Sequence, residues 1–171
     1  MKIYKKILLT LLITVITCAF SSCQNDLDPM AGDFAFSLTW NTYGVSSYDS
    51  ATGKLVKTTD ATYPEDYIKE LILTGEEISA IYDLITELNV YSYPDEYNPN
   101  PDMFMEPPTT LILKVTENGK EKIIKAEDIS TFVSTADGKG QKFLKTCEEI
   151  SKILTSSEEW KALPDYEFLY E

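Results

Sequence analysis

Thr109-Thr110-Leu111-Ile112-Leu113-Lys114-Val115-Thr116-Glu117-Asn118-Gly119-Lys120-Glu121-Lys122-Ile123-Ile124-Lys125-Ala126 reads as a β-hairpin, and the rest of the fold is read outward from it. A two-residue hairpin turn needs positive φ at its central positions, which Asn and Gly tolerate best, so Asn118-Gly119 is the strongest local hairpin signal available. Leu111, Leu113 and Val115 recur with period two, the spacing of a strand with one buried face. Counting back from the turn sets Glu117 opposite Lys120 and Leu113 opposite Ile124. The first strand runs from Thr109 to Thr116, and Glu121 to Ala126 returns.

Upstream, Phe34, Phe36, Leu38 and Trp40 alternate with Ala35, Ser37 and Thr39, again the pattern of a half-buried strand. Tyr48 to Lys54 reads as a turn: Asp49 can bond its own following backbone and Gly53 supplies positive φ. Leu55 to Thr59 is predicted to return from that turn. Asp60 to Asp66 contains Pro64 and reads as a loop, and Tyr67 to Leu73 as a further strand. Thr74-Gly75-Glu76-Glu77 is a capping box. Ile78, Ile81, Ile85 and Leu88 follow at helical spacing, and Asn89 ends the helix. Tyr91 to Pro108 carries Pro94, Pro99, Pro101, Pro107 and Pro108 without a glycine. A loop of that length in a compact domain is functional or mobile. Gly138 and Gly140 precede a second helix over Gln141 to Leu154. A last helical piece, Ser157 to Ala162, stops ahead of Leu163-Pro164, because a residue before proline disfavours helix. Trp160 and Leu163 are predicted to dock on the body of the domain. The order is ββαββα-like: an α+β fold, an antiparallel sheet with two helices packed on one face. Several small exported domains, some enzyme inhibitors among them, have a similar layout.

The first residues differ in character. Lys2, Lys5 and Lys6 form a basic start, and Ile7 to Phe20 is almost wholly apolar. That run is shorter than the ~20 residues of a membrane-spanning helix and suits the core of a signal peptide. Phe20-Ser21-Ser22-Cys23 resembles the lipobox of bacterial lipoproteins. The resemblance implies cleavage before Cys23, lipid on its thiol and on its new amino group, and partnership with a membrane through that lipid. It divides the chain into a signal peptide over residues 1–22, a lipidated tether over residues 23–32, and one domain over residues 33–171. It also implies a cell-envelope protein anchored at the outer membrane, facing the periplasm or the surface. One acyl chain binds a bilayer marginally, whereas two hold it stably. Gln24-Asn25-Asp26-Leu27-Asp28 resembles the short acidic export signal of surface-displayed lipoproteins, and reads equally as a plain polar tether. Pro29 and Gly32 break regular structure there.

The chain has 171 residues with 28 acids against 15 lysines, a net charge of −13, and neither arginine nor histidine. Three lysines precede Cys23, so twelve lysines face twenty-eight acids in the mature part, a net −16. Such a field repels nucleic acid, and no nucleic-acid partner is expected. Without histidine, Ser-His-Asp and Cys-His catalysis are excluded within this chain, and the commonest zinc ligand is missing. Without arginine there is no bidentate clamp for phosphate or carboxylate. Any chemistry would rest on carboxylates, lysine or tyrosine. No catalytic residue, metal centre or cofactor is assigned. Cys18 lies in the apolar run and Cys23 takes lipid, so Cys147 is left alone. Its spacing with Phe143, Leu144, Ile150 and Leu154 marks it as a buried small hydrophobe on a helix.

Two groups of residues invite a binding role. Asp95, Asn98, Asn100 and Asp102 offer oxygen ligands of the kind calcium prefers. The glycine and closing glutamate of an EF-hand loop are missing, so the run reads as a solvated proline-rich loop. Tyr43, Tyr48, Tyr63, Tyr67, Tyr91, Tyr93 and Tyr97 fall largely in turns and loops. Tyrosine gives a flat apolar face with a polar tip, which suits a recognition surface or the closing edge of a core. The candidate binding set is Tyr91, Tyr93, Asp95, Tyr97, Asn98, Asn100 and Asp102. The function expected is a non-catalytic, membrane-anchored binding or accessory domain that meets a protein or glycan. One alternative is a carboxylate-based hydrolase of surface polymers, which needs two inward-facing acids across a cleft. Another is an inhibitor or immunity-type protein whose acidic face covers a basic enzyme.

Overall fold

The computed structural model describes residues 30–41, 45–98, 109–127 and 138–165. The predicted signal peptide, Cys23, the tether as far as Pro29, Tyr43, Asn100 and Asp102 lie outside the described residues. Among the described residues seven strands are present: β1 (Ala35–Trp40), β2 (Ser46–Asp49), β3 (Lys54–Val56), β4 (Ile68–Glu70), β5 (Glu96–Tyr97), β6 (Thr110–Glu117) and β7 (Lys120–Glu127). The helices are α1 (Gly75–Leu88), α2 (Gly138–Thr155) and the short α3 (Glu158–Lys161). One sheet takes the order β4-β3-β2-β1-β6-β7-β5. Every neighbouring pair is antiparallel except β5 and β7. The protein is an α+β fold.

The Asn-Gly hairpin forms in the predicted register, with Glu117 opposite Lys120 and Leu113 opposite Ile124. Asn118 takes φ 52° and Gly119 φ 70°. On the other side of β6, Leu38 lies opposite Leu113 and Phe36 opposite Val115. The apolar phases of β1, β6 and β7 therefore coincide, and Phe36, Leu38, Trp40, Leu111, Leu113, Val115 and Ile124 are all buried. They form one core with Ile81, Ile85 and Leu88 of α1 and Phe143, Cys147, Ile150 and Leu154 of α2. The opposite phase, Ser37, Thr39, Ser47, Lys114, Thr116 and Lys125, is half-exposed.

Two expectations at the β2 side are corrected. The strand beside β1 is Ser46–Asp49, not Leu55–Thr59. The Gly53 turn joins β2 to β3, which ends at Val56. Ser-Ser-Tyr-Asp is a weak strand sequence by propensity, and packing makes it one. Ser46 is fully buried, its hydroxyl donating to the Lys57 carbonyl at 2.7 Å and accepting from the Asn41 amide at 2.9 Å. Tyr48 is buried opposite Leu38. The turn itself has the predicted chemistry: Asp49 accepts from the Thr52 N–H at 3.0 Å, and Gly53 sits at φ 71°. The strand expected over Tyr67 to Leu73 shortens to Ile68–Glu70, because a 3₁₀ turn opened by Pro64 runs through Tyr67.

Helix α1 carries both halves of the capping box: Thr74 Oγ1 accepts from the Glu77 N–H at 3.2 Å, and Glu77 accepts from the Thr74 N–H at 2.8 Å. It ends at Asn89, whose φ of 58° is left-handed. Helix α2 begins at Gly138, ahead of the predicted start. The Lys142 ammonium donates to the Glu87 carbonyl at the end of α1, tying the two helices together. Ser157 caps α3 by accepting from the Trp160 N–H at 3.2 Å. Trp160 then lies on Trp40 with ring centroids 5.8 Å apart, and Leu163 is buried, so both dock as predicted. Among the described residues no helix is long and apolar enough to cross a membrane.

Cys147 is only 1 % exposed. Burial first, and then the charge of Glu148, push its thiol pKa far upward, so the reactive thiolate is suppressed. Native Cys147 is expected to resist a soluble maleimide and to label only as the chain unfolds. Prompt labelling of folded protein, followed by mass spectrometry, would contradict its place in the core.

Candidate functional site

The second half of α1 and the tip of the hairpin enclose a cleft. Helix α1 contributes Tyr82, Ile85 and Thr86; the left-handed Asn89 and the 3₁₀ turn Val90–Ser92 contribute Asn89, Val90 and Tyr91; the hairpin contributes Glu117 and Asn118. The cleft holds about 480 Å³, within the usual range of small-ligand sites.

Each wall is fixed by a specific contact. The Tyr82 ring stands edge-on to Phe34 at 4.9 Å and 86°. Its hydroxyl donates to Glu117 Oε1 at 3.0 Å, which joins helix to hairpin. The Asp33 carboxylate accepts from the N–H groups of Asn118 at 2.8 Å and Gly119 at 2.6 Å, so the chain entering β1 grips the hairpin turn. The Gly119 and Asn118 bonds hold the Asp33 carboxyl below the ordinary aspartate range. A carboxyl with a depressed folded pKa lends stability above its unfolded pKa and loses it as pH falls through the folded value. Asp33→Ala is therefore expected to speed amide exchange at Asn118 and Gly119 at neutral pH. Acidification of the unmutated chain through that lowered value should likewise reduce the protection of these two amides relative to intrinsic exchange at the same pH. Unchanged exchange in both cases would show that the grip does not order the turn.

Beyond these walls the cleft is open and mildly negative. Among the described lining residues Glu117 is the one acid, and none is a lysine. The last turn of α1 carries no basic residue, and its carbonyl pole faces the same end of the helix as Asn89. Tyr91 is 49 % exposed, with the exposed amides of Asn89 and Asn118 beside the same space. An aromatic face, amide groups and one carboxylate suit a hydroxyl-rich neutral ligand or a cationic side chain better than an anion.

The predicted binding set does not stay together. Of its described members, Tyr91 alone lines the cleft. Tyr93 and Tyr97 are buried, their rings perpendicular at 5.3 Å and both against Phe143 of α2, at 5.7 and 6.1 Å. Tyr93 also donates to the Lys139 carbonyl at 3.0 Å. These two tyrosines close the core and are not part of a recognition surface. Asp95 pairs with Lys122 at 2.5 Å, and its carbonyl accepts from the Lys125 N–H at 2.7 Å, holding the β5 end against β7. Asn98 is exposed just past β5. Elsewhere, Tyr48 is buried and donates to the Leu71 carbonyl at 3.2 Å. Its pKa is raised to about 12 by burial, with the charges of Asp49 and Glu77 adding. Tyr63 is exposed. Sequence spacing does not mark Tyr82, Asn89, Glu117 and Asn118 as site residues. Their only local signals were a helix end and a hairpin turn, and they meet through tertiary pairing. Among the described residues, no group of three or more His, Cys, Asp or Glu side chains could hold a metal ion.

Fold and cleft together define a small α+β domain with an aromatic, amide-lined cleft at one end of its sheet. No protein-family model matches the chain, and no curated protein matches it.

Proposed function

We propose that this chain is an exported lipoprotein held in the cell envelope by lipid on Cys23. Its domain is a non-catalytic binding or accessory module that meets a protein or glycan. The observation that carries the reading is Tyr91, half-exposed on the cleft among Asn89, Asn118 and the Tyr82–Glu117 pair. A hydrolase would place a second acid across the cleft from the first; Glu117 has no such counterpart among the described lining residues. The sequence features at Phe20-Ser21-Ser22-Cys23 supply the anchor in this reading.

The test is affinity capture from the producing cell's envelope fraction with the immobilised chain and its Tyr91→Ala variant, at low and high salt. Loss of an exposed aromatic anchor should weaken a genuine cleft ligand by about tenfold or more. Capture that is equal for both chains would remove the cleft from the function. Capture abolished by salt alone would favour the inhibitor reading, in which the acidic surface meets a basic enzyme.

A further inference from the structure

Asn118-Gly119 is the only Asn-Gly pair in the chain. Such a pair carries a reactivity of its own besides its turn preference. The glycine nitrogen can attack the asparagine side-chain carbonyl, because glycine has no Cβ to crowd the approach. Here both residues are exposed. Apart from chain neighbours, nothing among the described residues lies within 4 Å of where a Cβ would stand on Gly119, so solvent base reaches its nitrogen. The other asparagines of the described residues are poorer sites. Asn41 precedes Thr42 and Asn89 precedes Val90, both β-branched, while Asn98 precedes Pro99, which has no N–H to lose. One carboxylate stands over the reactive pair. Asp33 accepts from the Asn118 N–H at 2.8 Å and from the Gly119 N–H at 2.6 Å. Those two bonds hold its carboxyl below the ordinary aspartate range, so it is charged wherever solvent base is present. To react, the Gly119 nitrogen must give up the proton that Asp33 holds. The negative charge left on it would face a carboxylate at hydrogen-bond distance, where like charges repel. A turn clamped at φ 52° and 70° also opens to ring-closing geometries less often than a free chain does.

We propose that Asn118 is a site of spontaneous deamidation which Asp33 holds in check. The deprotonated Gly119 nitrogen bonds to Asn118 Cγ, the Cγ–Nδ2 bond breaks, and the side-chain nitrogen leaves as ammonia with a proton from water. The product is a cyclic imide. Water then opens the ring, and nothing is oxidised or reduced. Breaking the bond between the Gly119 nitrogen and Cγ leaves an aspartate at this position. Breaking its bond to the main-chain carbonyl carbon leaves an isoaspartate, which puts an extra backbone atom into a two-residue turn. Asn118 lines the cleft beside Glu117. Either product sets a second carboxylate there, and the isoaspartate also displaces the hairpin wall. The site and its clamp stand on the hairpin alone, whatever the cleft binds.

The test holds the purified full chain in mildly basic buffer and follows conversion at Asn118 by peptide mapping and mass spectrometry. A capped synthetic peptide running from Thr116 to Glu121 gives the rate without the clamp. The unmutated chain should convert about tenfold or more slower than that peptide, and Asp33→Ala and Asp33→Asn about fivefold or more faster than the unmutated chain. Asp33 is exposed ahead of β1, so neither substitution touches the core. Continued resistance of Cys147 to a soluble maleimide reports that each variant is folded. One substitution removes the side chain and the other only its charge, so the comparison survives if either unsettles the fold. Asn89, ahead of Val90, is the internal reference and should stay an amide. Conversion of the unmutated chain at the peptide's rate would overturn the proposal. So would folded variants that convert no faster than the unmutated chain: an equal rate would make the clamp irrelevant, and a slower one would make Asp33 the base that removes the proton.

Discussion

Phe143→Ala is expected to lower the unfolding free energy by about 3–5 kcal/mol, the range for emptying a large aromatic site in a core. Phe143 is fully buried on α2. It touches both Tyr93 and Tyr97, so its ring is the wedge between a helix and the chain running into β5. Strand β5 pairs with β7 at two positions only, Glu96 with Lys125 and Tyr97 with Ala126. So short a strand has little stability of its own. Removing the ring leaves a void lined by two tyrosines and takes away what holds β5 in place. Urea denaturation should show a lower midpoint, and amide exchange near Tyr97 should rise before the rest of the sheet opens. A loss below about 1 kcal/mol would mean that the void collapses and that the three-ring cluster does not anchor α2.

Cys23→Ser is expected to move the protein from the membrane pellet to the soluble fraction. Acyl chains contribute about 0.8 kcal/mol per buried methylene, so losing them shifts the partition by orders of magnitude. The described residues contain no helix that could replace that anchor. The protein should also lose incorporation of a labelled fatty acid, since the resemblance ties that step to the thiol. A variant that still sediments with membranes and washes off in neither salt nor carbonate would contradict the lipoprotein reading.

The parts of the fold legible in the sequence are those set by residues a few positions apart. Asn118-Gly119 specified its own turn and, through it, the register of β6 and β7. Thr74 and Glu77 specified the start of α1, and the helical spacing around Cys147 specified its burial. The parts that were not legible depend on distant partners. Ser46–Asp49 becomes a strand because β1 and β3 lie on either side of it. Tyr93 and Tyr97 are drawn inward by Phe143, which comes from another helix. Among so many prolines, nothing local distinguished them from the exposed Tyr91. The candidate cleft was hidden for the same reason: the Tyr82–Glu117 hydrogen bond joins residues 35 positions apart.

The route by which the chain enters the sheet also decides how the domain bears a load. A tug on the segment ahead of Asp33, such as a lipid anchor would transmit, reaches β1 along its length. β1 is an inner strand bonded to β2 on one side and β6 on the other. Tension is then shared as shear over two ladders at once, instead of peeling bonds singly as at a sheet edge. The turn from Ala31 to Phe34 and the Asp33 bonds to Asn118 and Gly119 lie ahead of β1 on that route, so a pull meets them as well as the two ladders.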